Sequence, residues 1–158
     1  KDDTIYKTKD GVGLDFSAVA KGYGVDVIAD VLREDYQIRN YMVEIGGEIA
    51  TSGVNNQQQP WQIAIDAPIA GGAPSVTVAA DSVALADAWA TALTAMPYHK
   101  ALDVAKTQNL AAMFVVLADD VKAKGSDDMS NEAADDDIDD WQVVQTPAMK
   151  ALRADKKL

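Results

Sequence analysis

Residues 15–26 read DFSAVAKGYGVD, and how this stretch is taken decides how the rest of the chain is read. The apolar spacing that follows it is helical, with Val19, Tyr23, Val27, Val31 and Leu32 recurring over residues 17–35 and Asp30, Arg33 and Glu34 opposite them. Yet the helix opens with Gly22 and Gly24, each worth about 1 kcal/mol less than alanine in a helix interior. It also carries Lys21 close to the end where the helix dipole is already positive. A lysine beside unpaired backbone N–H groups makes an anion site suited to phosphate. The small residues Ala18, Ala20, Gly22 and Gly24 admit another backbone or a ligand. Asp15, just before the helix, can cap it or accept hydrogen bonds from a ligand. The plainer alternative is a packing helix that tolerates glycine and carries a solvated lysine.

Working outward, TIYKT (4–8) and VGLDF (12–16) flank Asp10-Gly11 and predict a β-hairpin. YMVEIGGEIATSG (41–53) predicts a strand, a Gly-Gly break and a second short strand, and the break between two acids is a place where a ligand could meet backbone. WQIAIDAP (61–68) and SVTVAA (75–80) predict further strands. A second helix is expected from Asp81 or Ser82 to about Met96, with Leu85, Trp89, Ala92, Leu93 and Met96 as its apolar face. AAMFVVLA (111–118) and WQVVQ (141–145) complete the strands, and Pro147 sits where a short final helix begins. His99, the only histidine, is expected at the surface, and one histidine assembles neither a Ser-His-Asp set nor a histidine-rich metal cluster. Strands and helices mix without strict β-α-β alternation, so the fold class expected is α+β, with mixed or antiparallel sheets and packed helices.

Composition bounds the function. The chain has 158 residues, 48% hydrophobic, with a net charge of −11, so broad nucleic-acid binding is not expected. It has no cysteine, which excludes disulfides and thiolate metal sites. No apolar run approaches the roughly 20 residues needed to cross a bilayer. An acidic loop spans 125–140, and its residues 127–140 hold eight acids and no base. It reads as a solvated like-charge run; a calcium loop is the sharper alternative, but the glycine and terminal glutamate of an EF-hand are missing.

In ADAWATAL (86–93), Asp87 and Thr91 stand four residues apart and so share a helical face, flanked by alanines. A carboxylate and a hydroxyl with little bulk around them can hold a hard cation such as Mg²⁺, with water and phosphate completing its shell. The alternative is an ordinary exposed polar face.

Taken together, DFSAVAKGYGVD, EIGGE, WQIAID, SVTVAADSVALADAWATAL and WQVVQTPAMKAL, in that order, resemble the ApbE family of flavin transferases. The resemblance implies an ApbE-like fold and an Mg²⁺-dependent enzyme that cleaves FAD, its substrate, and attaches FMN by a phosphoester bond to Thr or Ser of an acceptor protein, releasing AMP. The acceptor would carry a flavinylation motif, as in a subunit of a membrane redox complex. By the same resemblance, Asp15 and Lys21 contact FAD, while Asp87, Thr91 and the carbonyls of Ala18 and Ala90 surround the metal. Family members are typically periplasmic and often lipid-anchored to the inner membrane. Alternatives are an FAD pyrophosphatase giving FMN and AMP, with water in place of the acceptor hydroxyl, and a non-catalytic FAD-binding protein. The resemblance makes residues 1–158 one partial catalytic region, its N-terminal half absent. A join is expected near 70–71, because relatives carry a longer segment there, including a histidine-bearing loop near the nucleotide. A literal polypeptide of this length is not expected to complete the reaction.

Overall fold

A computed structural model describes residues 4–65, 74–122 and 141–154. The expected join at 70–71 and the acidic loop 125–140 lie outside the described residues. The first long element is α1, Ser17–Glu34, followed by the strands β1, Tyr41–Ile45, and β2, Glu48–Ser52. These strands form an antiparallel hairpin whose two-residue turn is Gly46-Gly47, with φ of +59° and +99°. Positive φ at both turn positions matches the twist of the flanking strands and is why glycine occupies both.

A second unit follows: β3, Ser75–Ala79; α2, Val83–Thr94; α3, Tyr98–Thr107; β4, Ala111–Leu117; α4, Ala118–Lys122; β5, Trp141–Gln145; and α5, Pro147–Ala154. Its sheet has the order β3-β4-β5 with both pairings antiparallel, and α2 and α3 intervene between the first two strands. The main core lies between these helices and the sheet, where Leu93, Ala101, Ala105, Ala112, Phe114 and Val116 are buried together. Tyr98 meets Phe114 edge to face at 5.8 Å. Thr146 is buried where β5 passes into α5. Its hydroxyl accepts from Ala112 N–H at 3.0 Å and donates to the Leu110 carbonyl at 2.7 Å, tying the final helix to β4. Helix α1 packs on α2 and on the β1–β2 hairpin, so the two units meet along the α1–α2 contact. The α+β class is as expected.

Several sequence expectations need correction. Residues 4–16 form no strand pairing; a Lys7 ammonium donates to the Val12 carbonyl at 3.1 Å, but Ile5, Tyr6, Val12 and Leu14 are exposed. A lone two-stranded ribbon with no surface to cover is at best marginal, so the turn signal at Asp10-Gly11 does not carry a hairpin. Residues 61–65 are likewise not in a strand, although Trp61 is anchored by its indole N–H to the Ser52 carbonyl at 2.9 Å. Helix α3 was not expected, and it takes His99 off the surface: the ring is half-buried and its Nε2 has no hydrogen-bond partner among the described residues.

The buried side of α1 is Gly22, Val25 and Ala29, not the stripe through Tyr23, Val27 and Val31; Tyr23 is 64% exposed. Bulk misled the reading, because the closest helix contact requires the smallest side chains. Leu85 of α2 is likewise exposed rather than on the packed face.

Candidate functional site

The α1–α2 contact is built around backbone. A Cβ placed on Gly22 would stand 2.5 Å from the Val83 carbonyl oxygen and 2.8 Å from the Ala84 Cα, so α2 sits where a side chain at residue 22 would be. Gly24 is different: its Cβ would meet only the Ile45 Cδ1, at 3.7 Å. One of the two glycines thus serves the helix crossing, and the other has room to spare.

Asp26 fastens the crossing one turn further on. Its carboxylate accepts from Val83 N–H at 2.8 Å, Ala84 N–H at 2.9 Å and the Ser82 hydroxyl at 3.0 Å. Ser82, as N-cap, accepts from Leu85 N–H at 3.2 Å. The first turn of α2 is therefore capped from its own chain and from α1. Partial burial pushes the Asp26 carboxyl up, but the Ala84 and Val83 N–H groups and the Ser82 hydroxyl outweigh it and hold the group below the usual aspartate value. A depressed carboxyl contributes stability that is present above its unfolded pKa, about 3.9, and is lost as pH falls through the lower folded value. Asp26→Asn should therefore cost about 1–2 kcal/mol at pH 7. The gap between variant and wild type should shrink below about pH 4, as paired urea titrations at pH 7 and pH 3 would show; an equal gap at both would remove the charge from the account.

Asp87 comes from the other direction. It is only 6% exposed, which corrects the expectation of an exposed carboxylate beside Thr91. Its Oδ2 accepts from Gly22 N–H at 3.0 Å. In a regular helix that N–H would serve the Ala18 carbonyl, so the bond from Asp87 competes for the donor that Ala18 would otherwise hold. Thr91, one turn on, is exposed.

These residues line an open cleft of about 480 Å³, with Ser17, Ala18 and Lys21 from α1, Asp87, Ala90, Thr91 and Thr94 from α2, Ala95 at its end, and Glu48 from β2. Five of the six residues singled out from sequence, Ala18, Lys21, Asp87, Ala90 and Thr91, thus meet in one cavity. Asp15 does not line it. Its Oδ1 accepts from Ser17 N–H at 2.8 Å, and that backbone bond, with a further one from the Ser17 side chain, holds the carboxyl below its usual value.

Lys21 is not the unsupported cation that its place in the helix predicted. Its ammonium donates to Glu48 Oε1 at 2.7 Å and to the Gly46 carbonyl at 3.3 Å. The bond to Glu48 outweighs the desolvation penalty, and with the charges of Glu48 and Asp87 it raises the lysine above its usual value. Glu48 had no role in the sequence reading beyond bounding the Gly-Gly break. Its signal is positional: it is the first residue after a two-glycine turn, which brings the hairpin end to the lysine. Among the described residues no group of three or more His, Cys, Asp or Glu side chains is placed to hold a metal.

The sequence model of the ApbE family matches residues 1–74 and 66–114. The chain belongs to the ApbE family. An FAD:protein FMN transferase of Haemophilus influenzae is 31% identical over 73% of this chain and 47% of its own length. One from Vibrio cholerae is 51% identical over a shorter part, 41% of this chain and 19% of the relative. Among solved structures, the flavin transferase ApbE from Vibrio cholerae superposes with a TM-score of 0.68 at 27% identity, covering 87% of this chain and 52% of that one. The apo flavinyl transferase ApbE of Pseudomonas stutzeri gives 0.63 at 25% identity, covering 88% and 51%. The ApbE fold is therefore shared, and the chain spans about half the length of the Haemophilus influenzae relative and of the two solved structures.

Proposed function

We propose that this ApbE-family region forms the phosphate- and metal-facing wall of an enzyme that cleaves FAD and transfers FMN to a Thr or Ser hydroxyl of an acceptor protein. The observation that carries the reading is the cleft itself: Lys21 from α1 and Asp87 with Thr91 from α2 converge on one open cavity. Transfer of this kind forms a bond between the acceptor oxygen and the FMN phosphorus and breaks the bridging phosphorus–oxygen bond, so that AMP leaves with the electron pair.

The donor set fits Mg²⁺, which favours oxygen ligands and uses one or two carboxylates together with water and substrate phosphate. Asp87, the Thr91 hydroxyl and the carbonyls of Ala18 and Ala90 would hold it, although the Thr94 hydroxyl now donates to the Ala90 carbonyl at 2.8 Å and would have to turn away. Bound there, the ion supplies Lewis-acid polarisation of phosphoryl oxygens.

The chain's own part is positioning and charge. Gly22 N–H orients the Asp87 carboxylate. Lys21, held by Glu48 and the Gly46 carbonyl, has a third ammonium N–H to offer phosphate, and Asp15 fixes the first turn of α1 from outside the cleft. The proton of the acceptor hydroxyl is assigned to no residue of this chain. A periplasmic, inner-membrane-anchored protein remains the expectation from family resemblance; no described helix is long and apolar enough to cross a membrane.

The test is to incubate the protein with FAD, Mg²⁺ and an acceptor bearing the flavinylation motif. Flavin joined to the acceptor supports the reading; free FMN and AMP alone indicate hydrolysis, and intact bound FAD indicates storage. Lys21→Met should weaken FAD binding about 10-fold at low salt, the scale of one charge-assisted contact partly offset by the lost Glu48 pair. Added salt should weaken wild type more than the variant, and riboflavin binding should not change. Equal FAD affinity in the two proteins would return Lys21 to the role of a solvated surface residue.

A further inference from the structure

Among the described residues that line the cleft, Glu48 carries a buried side-chain oxygen without a hydrogen-bond partner. Its side chain is 17% exposed, less than that of Lys21 at 48%. One oxygen, Oε1, holds the Lys21 ammonium at 2.7 Å. The other, Oε2, is buried and has no hydrogen-bond partner among the described residues. A buried carboxylate oxygen left without a donor is costly, so such an atom is uncommon unless something else supplies one. The position is firmly built: Glu48 opens β2 directly after the Gly46-Gly47 turn, and it pairs in register with Ile45.

The chemistry of the missing donor is narrow. Ionised phosphate has only acceptors to offer and would be repelled by a carboxylate. A hydroxyl can donate. Because the same carboxylate holds Lys21, a group meeting Oε2 must stand next to the group that draws the ammonium. In a dinucleotide those neighbours are the sugar hydroxyls flanking the pyrophosphate. We propose that Glu48 is a ligand-binding residue whose Oε2 accepts a hydrogen bond from a sugar or sugar-alcohol hydroxyl adjoining the phosphates, while Oε1 stays bonded to the Lys21 ammonium beside them. This rests on the reading of the cleft as a flavin-dinucleotide site. It sets Oε2 against the hydroxyl and the Oε1-bound Lys21 against the phosphate, so that recognition depends on a phosphate and a hydroxyl at a fixed separation.

The experiment is a binding panel of FAD, ADP and inorganic pyrophosphate with Mg²⁺, measured by calorimetry on wild type, Glu48→Gln, Glu48→Ala and Lys21→Met. Thermal melts confirm that each variant is folded. Both Glu48 variants should bind FAD about 10-fold more weakly and pyrophosphate, which has no hydroxyl, within about twofold of wild type or more tightly, the scale of one hydrogen bond to a charged group. Lys21→Met should instead lose pyrophosphate and FAD together. ADP separates the two hydroxyl sources: a loss shared by ADP assigns the ribose, and a loss confined to FAD assigns the ribityl chain. If the Glu48 variants lose pyrophosphate as much as FAD, Glu48 acts only through Lys21 and the hydroxyl contact is wrong. If they bind every ligand as wild type does, it has no binding role. Folded wild type that binds neither FAD nor ADP would overturn the dinucleotide reading itself.

Discussion

Gly22→Ala should destabilise the protein by about 3 kcal/mol, although the substitution favours an isolated helix by about 1 kcal/mol. The added methyl has nowhere to go. Its carbon would lie 2.5 Å from the Val83 carbonyl oxygen and 2.7 Å from the carbonyl carbon, and these atoms are backbone that cannot rotate aside. The helices must separate, stretching the Asp26 bonds to Val83 and Ala84 and the bond from Gly22 to Asp87 at the same time. Gly24→Ala is the internal control. Its methyl would find ordinary contact distance to Ile45, so it should be neutral or stabilise by up to about 1 kcal/mol. Urea denaturation of the two variants side by side gives the answer; a stabilised Gly22→Ala would mean that the helix crossing is looser than described.

Asp87→Asn should lower Mg²⁺-dependent FAD binding and turnover by at least about 100-fold while the protein stays folded. Asparagine is the right probe because the carboxylate is buried. An alanine there would leave a cavity at the buried helix crossing and confuse a folding defect with a functional one. The amide can keep its oxygen toward Gly22 and lacks the charge that a hard cation needs. The measurement is FAD affinity with Mg²⁺ and with EDTA. Wild type should lose affinity in EDTA, and the variant should match the EDTA value under both conditions. A variant that still gains from Mg²⁺ would move the metal away from Asp87.

Much of this site could be read in the sequence because its residues come in short local patterns. The four-residue spacing of Asp87 and Thr91 fixes a shared face whatever surrounds the helix, and the lysine with small neighbours in DFSAVAKGYGVD marks a backbone-rich helix start. What the pattern could not supply was depth. Periodicity says which residues share a side, not which side is covered, so Asp87 was expected in the open and the bulky stripe of α1 in the interior. The partners that complete the cleft are distant in sequence: Glu48 reaches Lys21 from a hairpin, and Asp26 reaches α2 across 57 positions. Asp26 ends DFSAVAKGYGVD and Glu48 ends EIGGE, but nothing local to either motif says which distant group its carboxylate meets. The expected hairpin at 4–16 failed for a complementary reason, since turn chemistry proposes a pairing but only buried surface sustains it. His99 was misplaced because helix α3 begins after Pro97 without a side-chain cap to announce it.

The Asp26 fastening has an evolutionary consequence. It ties α1 to α2 by side chain and backbone at the crossing itself, and nothing in it depends on the course of the chain between them. The entropic cost of closing such a connection grows only with the logarithm of its length, about 0.6 kcal/mol for each doubling. Three hydrogen bonds to a carboxylate exceed that cost. The chain between β2 and α2 is therefore a place where a lineage can gain or lose length while the crossing at Gly22, Asp26 and Asp87, and the hold of the hairpin on Lys21, are inherited intact.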